Sequence, residues 1–285
     1  MNITGFTRKN PLPLPIEDSF GYNESGNILA IAVADGITRD PLGMPYLPDP
    51  KDMEGVWEAC RAYPNPSGSK IVADLFVKNF IEYPMGVEWA AHEQTVFNGF
   101  TSINNRLIKR LNKERIKDVD YLEHDLFGCV ASAGIIAGDK LFYGYIGDCG
   151  VAVFDRKGKI VDKTTDDVKK TSRFVEALAD YDWKRPEWRE VVRKKYRNKP
   201  GNLNSYGALT GEVKANWYIH TGKINLTPGF FVLFYSDGME DVVLSMGLSE
   251  HLASIGLDGL ERKCNDIADE MGIRKEGTLV AVAVD

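Results

Sequence analysis

Three apolar runs of strand length each stop at a paired glycine and aspartate. ILAIAVA at 28–34 runs into Asp35-Gly36, KLFYGYI at 140–146 into Gly147-Asp148, and FFVLFYS at 230–236 into Asp237-Gly238. Unbroken apolar runs of this length predict strands buried in a core. Taken singly, each acid–glycine step reads as a turn, because aspartate and glycine both tolerate turn backbones. Taken together they constrain the fold more tightly. If the strands lie in facing or neighbouring sheets, their ends deliver several carboxylates to one edge, where mutual repulsion calls for a cation.

The remaining pattern sets the architecture. Val72, Phe76 and Phe80 recur at helical spacing, as do Val96, Phe100, Ile103, Leu107 and Leu111, so each set predicts a helix with one buried face. FGCVASAGII at 127–136 and KLFYGYIG at 140–147 read as a hairpin, with Val151–Phe154 and Ile160-Val161 continuing it as a meander. Further strands are expected near Trp217–His220 and at TLVAVAV, 278–284, with a helix over about 257–271. Strands and helices come in blocks rather than in βαβ alternation, which predicts an α+β fold of antiparallel sheet covered by helices. Six prolines between Arg39 and Ser69 mark that stretch as a surface insertion in a single domain of 285 residues.

Composition excludes several classes of function. The net charge of −6 gives no overall field for nucleic acid or an anionic membrane. Cys60, Cys129, Cys149 and Cys264 include no close pair, and His92, His124, His220 and His251 stand far apart, so neither a zinc ribbon nor a redox pair can be written. The N-terminal stretch lacks a signal-peptide core and no run approaches spanning length, which predicts a cytoplasmic location. With only oxygen ligands at the strand ends, the expected cation is Mg²⁺ or Mn²⁺. A glycine after the aspartate lets the backbone approach closely enough for the Gly36 carbonyl to join the ligands. Glu17-Asp18, just before Phe20 and Tyr22, is a further acid pair, read either as solvated chain or as part of the same cluster.

The ordered set Glu17-Asp18, VADG at 33–36, FGCVASAGII at 127–136, YIGDCG at 145–150, YGALTGE at 206–212, YSDGMED at 235–241 and GTLVAVAV at 277–284 resembles the metal-dependent type 2C (PPM) protein serine/threonine phosphatases. The resemblance spans about residues 17–284 apart from the stretch near 39–69 and part of 165–204, which would be a flap. It implies an antiparallel β-sandwich flanked by helices on both sides, a phosphoprotein substrate, and two Mn²⁺ or Mg²⁺ ions. By position Asp35 would bridge both ions, Gly36 and Asp237 would each hold one, and Glu17 and Asp18 would act on their waters. Asp148 and Asp241 match acids that form a third, weaker metal site in some relatives.

The sequence departs from the family pattern at three places. Pro13 stands where an arginine grips phosphate, leaving Arg8 or Lys9 as candidate replacements, and Ile37-Thr38-Arg39 follows Asp35-Gly36 in place of His-Gly-Gly or Met-Gly-Gly. Lys275 stands where the last-strand aspartate is expected, with Glu276 one place off as the candidate ligand. Residues 184–199 hold eight basic and two acidic residues, which predicts a helix begun by Pro186 that exposes its cations, as a solvated face first, or as a flap that recruits an acidic or phosphorylated partner, with a nucleic-acid patch the weakest reading. Two readings of function therefore stand: a metal-dependent phosphatase, or a phosphatase fold with an impaired site that binds a protein partner.

Overall fold

The computed structural model describes residues 1–12, 14–37, 53–86, 92–113, 127–178 and 186–285. Pro13, Thr38, Arg39, the first part of the expected insertion and the first two residues of the basic segment lie outside these. Two five-stranded antiparallel sheets face each other. The first has the order β1 (Asn2–Arg8), β10 (Gly277–Ala283), β9 (Phe231–Tyr235), β6 (Gly150–Phe154), β7 (Ile160–Lys163). The second runs β2 (Ser19–Ser25), β3 (Ile28–Gly36), β4 (Cys129–Ala137), β5 (Lys140–Ile146), β8 (His220–Asn225).

Side chains alternate across each strand and so build three layers of core. Leu29, Ile31 and Val33 of β3 meet Val151, Val153, Val232, Phe234, Val280 and Val282 between the sheets. The opposite face of the second sheet carries Ala32, Ala34, Ala131 and Ala133, small enough to seat α2 (Gly68–Glu82) and α3 (Glu93–Lys113). Phe100 packs edge-on against both Phe76 and Phe80, with Phe76 and Phe100 centroids 4.8 Å apart. Met239, Leu248, Leu260, Cys264 and Ile267 cover the first sheet from α6 (Asp237–Val243), α7 (Met246–Ser254) and α8 (Leu260–Glu270). No described helix is long and apolar enough to cross a membrane.

The meander expected from the sequence breaks at its third strand. All five residues of β6 are buried, so β6 needs the interior of a sheet. It takes the slot between β9 and β7, with Gly150 opposite Tyr235. The place beyond β5 is an edge, filled instead by the polar β8. The strand expected at Trp217–His220 likewise shifts: Val213–Tyr218 is a 3-10 turn with Trp217 76% exposed, and pairing starts at His220. Residues 53–62 inside the expected insertion form a helix, α1 (Met53–Ala62). Within the expected flap lie α4 (Asp167–Glu176) and α5 (Pro186–Tyr196). The helix expected at Pro186 is there, but not all of the segment's cations face water: Arg193 is 6% and Arg197 3% exposed, the latter with its Nε donating to the Tyr206 hydroxyl at 3.3 Å.

Candidate active site

The acid–glycine steps meet at one end of the sandwich. Asp35 closes β3, Asp237 opens α6 at the end of β9, and Glu276 precedes β10, the strand beside β9. The Gly147-Asp148 turn is where the chain crosses between the sheets. Glu17, Asp18, Asp35, Gly36, Asp237, Lys275 and Glu276 line a common cavity of about 240 Å³. A larger hollow of about 890 Å³ lies between the start of α3 and the Lys140 end of β5, at the far end of that strand from Asp148, and none of these acids lines it.

Two close backbone approaches build the cavity. A Cβ on Gly36 would sit 2.9 Å from the Glu17 carbonyl oxygen and 3.0 Å from the Ser69 carbonyl carbon. One on Gly238 would sit 1.8 Å from the Glu276 carbonyl oxygen. Only glycine lets β3 lie against the Glu17 segment, and α6 against the start of β10.

Glu17, Asp18, Asp237 and Glu276 are held by named partners. Glu17 and Asp18 are buried. Glu17 Oε1 accepts from the Tyr63 hydroxyl at 3.1 Å and, in a short contact, from Ser67 Oγ. Ser67 also caps α2 by accepting the Lys70 backbone N–H at 3.0 Å. Ser236 Oγ donates to Asp18 Oδ2 at 2.7 Å while accepting the Thr278 N–H at 2.9 Å. Lys70 Nζ donates to the Asp18 carbonyl at 2.9 Å. Glu276 Oε1 accepts the backbone N–H groups of Glu17 and Asp18 at 2.9 and 2.6 Å, and Lys275 Nζ lies 2.8 Å from Asp237 Oδ2.

Crowding shows in the protonation of these groups. Burial pushes Asp18 up to about 6, with Asp237 adding to the rise. Asp35 is held well above the usual carboxylate range by burial and by Asp18, Asp237, Asp148 and Glu276, and Asp148 by burial and by Asp237 and Asp166. Glu276 is pushed up to about 7 by burial and by Asp18. Such shifts in a cleft mark a functional site.

The donor set suits a hard divalent cation in kind, being all oxygen. Asp18 and Asp35 are both held up by burial, and the charge of Asp18 adds to the rise at Asp35, a repulsion that a bound cation would offset. As the side chains stand, no three of the described His, Cys, Asp or Glu residues close on a common point.

The model of the family described as protein phosphatase 2C matches residues 13–261. The chain belongs to the protein phosphatase 2C family. Solved structures agree in fold. The Mycobacterium tuberculosis serine/threonine phosphatase PstP/Ppp superposes with a TM-score of 0.61 at 19% identity, covering 100% of this chain and 99% of that one. For serine/threonine phosphatase Stp1 from Staphylococcus aureus the values are 0.63, 12%, 99% and 94%. For RsbX in complex with magnesium they are 0.54, 12%, 98% and 92%. No curated protein sequence matches the chain closely enough to count as a relative.

Against the phosphatase 2C pattern, the structure brings together Glu17, Asp18, Asp35, Gly36, Asp237 and Glu276, with Asp148 close enough to act on Asp35 electrostatically. It does not bring Asp241 to them. Asp241 is exposed along α6, and its neighbour Glu240 meets Lys169 Nζ at 3.2 Å and acts on the half-buried Asp166. Arg8 is committed elsewhere, with one guanidinium nitrogen 2.8 Å from Asp269 Oδ1 and the other donating to the Lys275 carbonyl at 3.2 Å. Tyr63, Ser67, Lys70 and Ser236 join the site without having been singled out in the sequence. Only Ser236, directly before Asp237-Gly238, carried a local signal.

Proposed function

We propose that this phosphatase 2C chain hydrolyses phosphoserine and phosphothreonine in proteins, with Mn²⁺ or Mg²⁺ bound among Asp35, the Gly36 carbonyl, Asp18, Asp148 and Asp237. The observation that carries this reading is the convergence of Asp18, Asp35, Gly36 and Asp237 from both sheets on one cavity, with Asp148 near enough to act on Asp35 and Lys275 the one lysine lining it among the described residues. Bound there, the divalent metal supplies an activated water and neutralises charge on the phosphoryl oxygens. The chain's own residues do the rest. Glu17, held by Tyr63 and Ser67, and Asp18, held by Ser236, orient the attacking water and accept its proton. Glu276 fixes the backbone that carries both. The two-ion arrangement that the family resemblance implies would require the second ion to share Asp237 with the Lys275 ammonium.

The test is hydrolysis of an aryl phosphate and a phosphothreonine peptide with millimolar Mn²⁺, against chelator and against Asp35→Asn. Loss of about 10³-fold or more in turnover under either condition is expected, in keeping with removal of a group that offsets charge in the transition state. The Lys275–Asp237 contact also favours a second reading, a phosphatase fold that binds a protein partner without turning it over. Turnover no higher in the native chain than in Asp35→Asn would move the conclusion to that reading.

A further inference from the structure

Lys275 is the one cationic side chain among the described residues that line the acidic cavity. Its ammonium sits 2.8 Å from Asp237 Oδ2. Lys70, the nearest alternative, binds the Asp18 carbonyl and does not line the cavity.

The backbone is fixed at the Lys275 carbonyl and in the two residues that follow. That carbonyl accepts from Arg8, which Asp269 holds in turn. The next residue, Glu276, is tied to the Glu17 and Asp18 amides, and the one after, Gly277, pairs with Arg8 in the register of β1 and β10. These contacts hold the backbone from which the ammonium reaches Asp237. Asp18, Asp35 and Gly36 line the same cavity, and the carboxylate that the Lys275 ammonium bonds is that of Asp237.

Resting on the reading of the site as a divalent-metal phosphatase, we propose that the Lys275 ammonium is a resident cation at Asp237 in place of a second divalent ion. The chain then takes one divalent ion, held by Asp18, Asp35 and the Gly36 carbonyl. A lysine ammonium is a compact point charge, and a divalent ion brought onto Asp237 beside it meets like-charge repulsion at contact distance. The Lys275 side chain is 68% exposed, so it can swing out, but doing so gives up its ion pair. It acts as a competitor for the second ion, not as a steric plug.

The experiment is Mn²⁺ binding to the full chain at pH 7.5 by calorimetry, with electron paramagnetic resonance of the bound metal, for the native chain, Lys275→Asp and Lys275→Met. The native chain is expected to bind one Mn²⁺ with a mononuclear spectrum. Lys275→Asp should bind two with a spin-coupled spectrum, the second at least about tenfold tighter than any second site in the native chain, because affinity follows ligand charge. Lys275→Met, which removes the charge without adding a ligand, should fall between the two for the second ion. Two ions in the native chain with a spin-coupled spectrum, or no second ion in Lys275→Asp, would overturn the proposal. The first of these, with turnover still lost in Asp35→Asn, leaves the phosphatase reading standing. No Mn²⁺ on the native chain together with no turnover removes both.

Discussion

Glu276 Oε1 accepts the backbone N–H of Asp18 at 2.6 Å, and that of Glu17 at 2.9 Å, across more than 250 positions of sequence. One carboxylate oxygen thereby joins the start of the last strand to the acid pair ahead of β2. Removing the acceptor leaves two amides of buried residues unpaired, at about 1–3 kcal/mol each. Glu276→Ala is expected to cost about 2–4 kcal/mol in urea denaturation, whereas Glu276→Gln, which keeps an acceptor oxygen, should cost less than about 1 kcal/mol. Equal losses in the two variants would show that the charge, not the acceptor, holds the segment.

Ser67 serves two elements at once, capping α2 and donating to Glu17. A lost cap is worth about 1 kcal/mol and a lost hydrogen bond to a buried carboxylate about 1.5–3 kcal/mol. Ser67→Ala is therefore expected to destabilise by about 2 kcal/mol or more. Under the proposed function it should also lower kcat more than it raises KM, because Glu17 is left with fewer partners. Ser67→Thr, which keeps the hydroxyl, should recover most of the stability. A stable Ser67→Ala variant with unchanged kcat would remove Ser67 from the site.

Much of this site was legible because its acids mark the ends of apolar strands. Asp35, Asp148 and Asp237 could be named from the sequence since an unbroken run such as ILAIAVA must be interior, and the polar residue that stops it must be at an edge. What could not be read depends on pairing between distant segments. Asn2–Arg8 shows no alternation and buries only Phe6, too weak a pattern to announce β1. Tyr63 and Ser67 reach Glu17 from a proline-rich stretch whose composition says surface. The β6 strand looked like the next turn of a meander because local sequence gives the strand but not which sheet has an interior place open.

Arg8 illustrates the same limit and gives a separate prediction. Its position near Pro13 suggested a grip on phosphate, but the register Arg8 opposite Gly277 lays it beside Lys275 and Asp269. Arg8→Ala should cost about 0.5–1 kcal/mol, the scale of a partly exposed ion pair. Its KM for a phosphopeptide should change by less than about threefold, whereas loss of a charged hydrogen bond to substrate phosphate is worth tenfold or more. A tenfold rise in KM at unchanged stability would return Arg8 to the phosphate.

The crowded acids also set how stability responds to pH. Unfolded carboxyls titrate near 4, whereas folded Asp18 is raised to about 6 and Glu276 to about 7, with Asp35 and Asp148 also shifted upward, burial being the largest cause in each. Between about 4 and 7 the folded chain thus binds more protons than the unfolded one, and its stability falls as pH rises through that window. Lys275, raised chiefly by Asp237, stays charged throughout and contributes no slope there. In chelator, the melting temperature at pH 7.5 is expected to lie about 3 °C or more below that at pH 5.5. Mn²⁺ at about 100 times its Kd stabilises by about 2.7 kcal/mol. Because the metal binds the ionised carboxylates, the rise in melting temperature should be larger at pH 7.5 than at pH 5.5. Asp35→Asn removes one shifted acid and should flatten both responses. A melting temperature that climbs from pH 5.5 to 7.5 in chelator would mean that the acids are not held in a buried, mutually repelling cluster.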